Sequence, residues 1–290
     1  MNKEVPVPLR LAVLGHPIAH SRSPRMHEAN FAALGLVGTY TALDVTEERL
    51  ANQLDELQQA AFSGVNLTIP LKARALELVD EATPLARLLG GVNTLTFRSD
   101  GRRAGDNTDG FGFVESLREA GFGSLAGRSV LALGCGGTGR ALALTCAQAG
   151  AGRLLLANRT RARAENVAAA VREAFPTVSV EVLAETPAAW EAAARTCDLI
   201  VHTTSQGLHA DDAPILTRRA FRADQLLFDA VYTAQRTPLM REAEAAGARA
   251  INGIGMLVHQ GAQSFRIWTG REPDVAAMRK ACVDLPDQFA

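Results

Sequence analysis

The sequence predicts an α/β protein of two domains, each a sheet interleaved with helices. Three observations carry this. Short apolar runs alternate with helix-length amphipathic segments along most of the chain. The chain has 290 residues, more than one compact core usually takes. A Gly-x-Gly-x-x-Gly run, Gly134, Gly136 and Gly139, lies near the middle, between a strand candidate and a helix candidate.

In chain order, the first domain reads as a strand over 9–14, a helix over 24–34, a strand over 40–44, a helix over 47–60, a strand over 64–67 and a helix over 71–79. Ser23 is the expected N-cap of the first helix, with Pro24 at its first position. Thr68 is the expected cap of the third, with Pro70 at or near its start. Strands over 92–97 and 102–106 form a hairpin about Ser99-Asp100-Gly101. A helix over 109–120 leads to Gly121-Phe122-Gly123 and the second domain.

The second domain continues with strands over 129–133, 153–157, 178–183, 199–203 and 226–231, and helices over 138–149, 161–175, 187–196 and 238–246. Such alternation argues for parallel sheets covered on both faces. A helix over 255–268, stopped by Gly270, ends the pattern.

Composition narrows the function. The residues are 47% hydrophobic and 21% charged with a net charge of −1, so no basic surplus points to nucleic acid or an anionic membrane. No apolar run is long enough to span a bilayer, and the first six residues lack a signal-peptide core. Cys135, Cys146, Cys197 and Cys282 are scattered, without a Cys-x-x-Cys pair, and read as reduced thiols of a cytoplasmic protein. His16 and His20 are split by Pro17, so no metal site is expected.

The glycines have separate duties in a dinucleotide site. Gly134 makes the tight turn, Gly136 admits a pyrophosphate, and Gly139 lets helix and strand pack closely. The following helix start offers N–H groups and partial positive charge to phosphate. The next strand ends in Asn158-Arg159-Thr160, followed by Arg161 and Arg163, where an NAD site would carry a carboxylate. Arginine suits a 2′-phosphate, so the expected cofactor is NADP.

The first domain holds the candidates for substrate. Ser21 and Ser23 stand beside a helix start and suit a carboxylate. Lys72 falls in a first helical turn, against the helix dipole, which favours a functional reading. Asp109, in the run Gly105-Asp106-Asn107-Thr108-Asp109-Gly110, is its expected partner.

Six segments in order, His20 to Pro24, Asn66 to Lys72, Gly91 to Thr94, Asn107 to Gly110, Asn158 to Thr160 and Gly255-Met256-Leu257-Val258-x-Gln260, resemble the shikimate dehydrogenase family from about residue 9 to 270. The resemblance implies reduction of 3-dehydroshikimate to shikimate with NADPH, on the route to chorismate and the aromatic amino acids. It implies catalysis by Lys72 and Asp109 and substrate binding by Ser21, Ser23, Thr68, Asn93, Tyr232 and Gln260. It implies cofactor binding by Gly134, Gly136, Gly137, Thr138, Gly139, Asn158, Arg159, Thr160, Arg163, Thr204, Gly255 and Met256. It further implies domains at 1–110 and 111–252, with helices in 253–290 returning to the first, and a monomer or homodimer.

Two positions depart from the family pattern. His202-Thr203-Thr204-Ser205 stands where the family reads Asn-Ala-Thr-Ser, and Ala234 replaces a proline two residues after Tyr232. Two other readings stay open: a quinate/shikimate dehydrogenase of broader cofactor use, and a non-catalytic ligand sensor.

Overall fold

The computed structural model describes residues 8–208, 212–232 and 236–283. They form two units. One takes the chain up to Gly112 and again from Leu257; the other takes Phe113–Met256.

The first unit runs β1 (Leu9–Gly15), α1 (Ser23–Ala33), β2 (Gly38–Asp44), α2 (Leu50–Gln59), β3 (Gly64–Leu67), α3 (Lys72–Glu77), β4 (Glu81–Ala82), α4 (Pro84–Leu89), β5 (Thr94–Phe97) and β6 (Arg103–Asp106). Its sheet has the order β2-β1-β3-β5-β6-β4. β1 is parallel to β2 and β3, but β5 is antiparallel to both β3 and β6. The sheet is therefore mixed, not purely parallel. The turn at Ser99-Asp100-Gly101 is too short for the crossover that parallel neighbours need.

The chain passes from β2 to β3 across β1, so the strand order reverses there and opens a crevice at the carboxyl ends. The segments leaving β1 and β3 are joined at this edge: the Thr68 N–H donates to the Leu14 carbonyl at 2.9 Å, and that of His16 to the Ile69 carbonyl at 3.0 Å.

One face of the sheet is covered by α2, whose Leu50, Leu54 and Leu57 make a single buried stripe against Leu14, Val65, Leu67 and Leu71. The other face buries Leu11, Val13, Phe31 and Tyr40 with Phe265. Phe265 lies on α10 (Ile254–Thr269), which is followed by α11 (Val275–Val283), packed on α1. Trp268 of α10 donates its indole N–H to the Leu95 carbonyl at 3.0 Å and covers Gly64 so closely that a methyl there would strike the ring.

The second unit is entered through α5 (Asp109–Glu119) and runs β7 (Ser129–Leu133), α6 (Gly137–Gln148), β8 (Arg153–Ala157), α7 (Arg161–Ala174), β9 (Ser179–Val182), α8 (Pro187–Ala194), β10 (Leu199–His202), β11 (Leu226–Asp229), α9 (Pro238–Ala245) and β12 (Arg249–Asn252). Its sheet is wholly parallel, in the order β12-β11-β10-β7-β8-β9, which is that of a doubly wound nucleotide-binding fold. β10 and β11 are buried at every residue, as strands covered on both faces must be, whereas edge strand β9 alternates in exposure. The order reverses between β7 and β10.

Three Thr-Pro pairs open helices in one way. Thr83, Thr186 and Thr237 accept from the N–H of Ala86, Ala189 and Met240 at 3.2, 3.3 and 3.2 Å, each with proline next. Ser23 does not cap in this way. Arg22 is already helical at φ −84°, Ser23 is the first helical residue, and Ser21 Oγ accepts the Ser23 N–H at 3.3 Å. Nor does Thr68 cap. Ile69, Pro70 and Leu71 form a turn in which the Leu71 N–H donates to the Thr68 carbonyl at 2.8 Å, so the helix starts at Lys72 and Pro70 lies outside it. The short β4, α4 and β12 lack the length for a periodic signal and are additions to the predicted elements.

Candidate active site

Each unit gathers polar residues where its strand order reverses. In the first unit, Lys72 is the opening residue of α3 and Asp109 that of α5. The dipole favours the aspartate there and opposes the lysine. They meet as an ion pair, Lys72 Nζ donating to Asp109 Oδ2 at 2.6 Å, with the lysine side chain 26% exposed and the aspartate 7%. The Lys72 backbone is also fixed, its carbonyl accepting the Val92 N–H at 2.9 Å.

Asn93 holds the pair in place. Its Nδ2 donates to Asp109 Oδ1 at 2.8 Å and Thr108 Oγ1 at 3.0 Å, with Gln260 Oε1 farther away at 3.4 Å. Its Oδ1 accepts the Thr108 N–H at 2.8 Å and the Thr94 hydroxyl at 2.9 Å. Behind it, Asn66 Nδ2 donates to the Asn93 carbonyl at 2.9 Å and to Ser264 Oγ at 3.0 Å. The Tyr40 hydroxyl donates to Asn66 Oδ1 at 2.7 Å and is also hydrogen-bonded to Ser23. Burial holds the Tyr40 phenol well above its ordinary pKa, so it stays a donor. A continuous chain of hydrogen bonds thus runs from Ser23 to Lys72.

Asn66, Thr94, Thr108, Ser264 and Tyr40 were not singled out as site residues by the sequence. Asn66, Thr94 and Thr108 lie within the segments that carry the family resemblance, but nothing local marks an asparagine in a strand as the hub of a network. Thr68 is half-buried with its methyl against Gly15, and no side chain in this network bonds to it.

In the second unit, Gly134 follows β7 with φ +101°, and a Cβ there would lie 2.7 Å from Thr203 Oγ1. A Cβ at Gly139 would strike the Gly134 carbonyl. At Gly136 and Gly137, by contrast, a Cβ would meet nothing within 4 Å. The first two glycines are thus demanded by the protein's own backbone, and the other two face open space. That space is a cavity of about 470 Å³ lined by Cys135, Gly136, Gly137, Arg140, Arg163, Asn166 and Val167. Two guanidinium groups and a helix start suit a bound phosphate, so these residues fit a phosphorylated dinucleotide. Arg140 was missed by the sequence reading; its signal was a cation in the first turn of α6.

Asn158 braces the loop: its Oδ1 accepts the Cys135 N–H at 3.0 Å and its Nδ2 donates to the Thr160 carbonyl at 2.8 Å. Arg159 and Arg163 are exposed, while Arg161 is paired with Glu165 at 2.9 Å. Thr204 follows β10, its methyl beside Gly134. Half-buried Tyr232 lies near Gly253, and Gly255 in α10 packs on Ser116. Met256 is the next residue of α10, and Ala234 lies outside the described residues.

Comparisons with known proteins find relatives along nearly the whole chain. Residues 13–95 match the shikimate dehydrogenase substrate binding domain, and residues 253–282 the shikimate 5′-dehydrogenase C-terminal domain. The chain is 40% identical over 276 residues to the shikimate dehydrogenase (NADP(+)) of Methanopyrus kandleri, covering 94% of each. The structure is similar to shikimate 5-dehydrogenase of Thermus thermophilus in complex with NADP(H) and shikimate, at TM-score 0.81 and 41% identity over 94% of this chain and 98% of that one. It is also similar to quinate dehydrogenase of Corynebacterium glutamicum in complex with NAD, at TM-score 0.88 and 30% identity over 96% and 99%. Among the described residues, no helix is long and apolar enough to cross a membrane.

Proposed function

The chain belongs to the shikimate dehydrogenase family and is an NADP-dependent enzyme, and on that premise we propose how its residues divide the work of reducing 3-dehydroshikimate to shikimate. The observation that carries the reading is the Lys72–Asp109 pair, half-buried, 2.6 Å apart and with its carboxylate fixed by Asn93.

NADPH supplies the hydride that reaches the ring ketone carbon. The ketone oxygen gains charge and must gain a proton. Lys72 Nζ donates to that oxygen, while Asp109 keeps the ammonium aimed and takes part in returning its proton. Asn93, with both amide hydrogens committed to Asp109 and Thr108, locks the carboxylate. Substrate displaces the long contact between Asn93 and Gln260; Gln260 and Thr68 hold the ring hydroxyls, and Asn93 donates to one of them in exchange for its bond to Thr108. Ser21, whose oxygen accepts the Ser23 N–H, keeps its own hydrogen to donate to the substrate carboxylate, with Ser23 beside it. Tyr232 contributes to the same substrate.

Gly136, Gly137 and Thr138, on a loop shaped by the turn at Gly134 and the close packing at Gly139, hold the dinucleotide phosphates; Arg159, Arg163 and Thr160, on the loop braced by Asn158, hold the 2′-phosphate. Thr204, Gly255 and Met256 serve its other half. Four free thiols, all buried, support the cytoplasm as the compartment.

The purified protein mixed with 3-dehydroshikimate and NADPH, then NADH, tests this. Fast, NADPH-selective loss of reduced-cofactor absorbance is expected. Tight binding of both ligands without turnover would remove Lys72 and Asp109 from catalysis.

A further inference from the structure

We infer that His202 is a positioning residue for the dinucleotide, acting through the hydroxyl of Thr204 to make it a fixed hydrogen-bond acceptor; this rests on the cofactor site proposed above. His202 ends β10, in register with Leu133 before the glycine turn on one side and with Asp229 on the other. It therefore stands at the reversal of strand order, where open parallel sheets bind ligands.

The imidazole is fully buried and both of its nitrogens are engaged. Nδ1 lies 2.9 Å from Asp229 Oδ1, and Nε2 lies 2.6 Å from Thr204 Oγ1. Asp229 is also fully buried, and its carboxylate accepts the Thr237 hydroxyl at 2.6 Å and the Val231 N–H at 3.1 Å. A carboxylate holding these donors only accepts. With the imidazole neutral, the network fixes the tautomer: Nδ1 carries the proton, and Nε2 is left with a lone pair. Thr204 must then give its only hydroxyl hydrogen to His202. The Gln206 N–H occupies one lone pair of Thr204 at 3.2 Å, which leaves the other.

Thr204 is half-buried, beside Gly134. In this state it accepts a hydrogen bond and offers none, so it rejects a phosphate oxygen. Its partner on the dinucleotide is a donor, either a ribose hydroxyl or the carboxamide N–H₂. An apolar residue at 202 would free the hydroxyl hydrogen to turn outward and spoil this selection.

NADP⁺ affinity, measured by calorimetry on the whole protein, is the test. Thr204→Val is expected to bind about tenfold more weakly, and Thr204→Ser as the natural protein does. His202→Phe should lose a similar factor alone and nothing more in a Thr204→Val background, with the KM for NADPH raised and that for 3-dehydroshikimate unchanged. Additive losses in the double variant would overturn the inference. If His202→Phe does not fold, the Thr204 pair decides: Thr204→Val binding at natural strength overturns it. An analogue with an acetyl group in place of the carboxamide separates the two donors, since the valine penalty persists with it for a ribose partner and vanishes for the amide. Arg159→Ala and Arg163→Ala are the controls. If they too leave affinity unchanged, the cofactor site itself is misassigned; if they weaken it and Thr204→Val does not, only the role of His202 falls.

Discussion

The substrate end of the first unit and the nucleotide end of the second occupy the same kind of place, the carboxyl edge where strand order reverses, yet they are built from opposite materials. The first is a solid polar interior, in which Asn66, Asn93, Thr94, Thr108, Asp109 and Ser264 are all buried and bonded to one another. The second is backbone and space, with glycines that a side chain would jam and a cavity lined by Arg140 and Arg163. A small ring with a carboxylate and a reacting carbonyl needs fixed directions, which buried hydrogen bonds supply. A flexible polyanion needs room and positive charge, which glycine and exposed arginine supply.

The contrast can be broken at either end. Lys72→Met should have the largest effect, a fall in kcat of about 10²-fold or more with the KM for NADPH unaffected. An unchanged kcat would leave the pair a binding device. Next is Gly139→Ala, whose methyl meets the Gly134 carbonyl. Overpacking of about 1–3 kcal/mol should appear as weakened NADP⁺ binding and a lowered Tm, with shikimate binding intact. Arg159→Ala should reduce the preference for NADPH over NADH by about tenfold, the value of one charge-assisted hydrogen bond. Equal Km ratios before and after would assign the 2′-phosphate elsewhere.

Smaller effects sharpen the comparison. Ser264→Ala removes a hydroxyl shared by Asn66, Thr94 and Thr108, at 3.0, 2.8 and 3.2 Å. It should cost about 1–3 kcal/mol in urea unfolding while leaving NADP⁺ affinity alone. His27, fully buried and stacked on Tyr40 at 4.2 Å between ring centroids, has its pKa lowered to about 3 by burial. The unfolded chain takes up a proton near pH 6.5 that the folded chain refuses, so stability is full above pH 6.5 and is lost as pH falls toward 3. His27→Phe should make the acid limb shallower by about 1.4 kcal/mol per pH unit, and parallel limbs in the two proteins would refute this.

Legibility in the sequence follows the same division. The glycine run and the Asn158–Arg163 loop are contiguous, so their spacing alone points to a nucleotide. Lys72 could be singled out because it stands against a helix dipole, and Asp109 as its partner from a run of acids and amides. The network behind them joins Asn66 to Ser264, Thr94 to Ser264 and Tyr40 to Asn66, pairs that no local pattern relates. α4 was overlooked although Thr83-Pro84 has the same signature as Thr186-Pro187 and Thr237-Pro238, because its six residues are too few to show a period. His202 was visible only as a departure from a family pattern; its partner Asp229 comes from the next strand.

The part played by Ser264 and Phe265 also bears on how the chain is made. A nascent chain exposes its first 112 residues long before α10 and α11 leave the ribosome. Until then Asn66 and Thr94 lack Ser264, Phe31 lacks Phe265, and α1 lacks α11. The stretch Phe113–Met256 holds every strand of its own sheet and waits for nothing. The unit whose strands are made earlier is the one completed last, and that segment must remain soluble with an unfinished face while Phe113–Met256 folds.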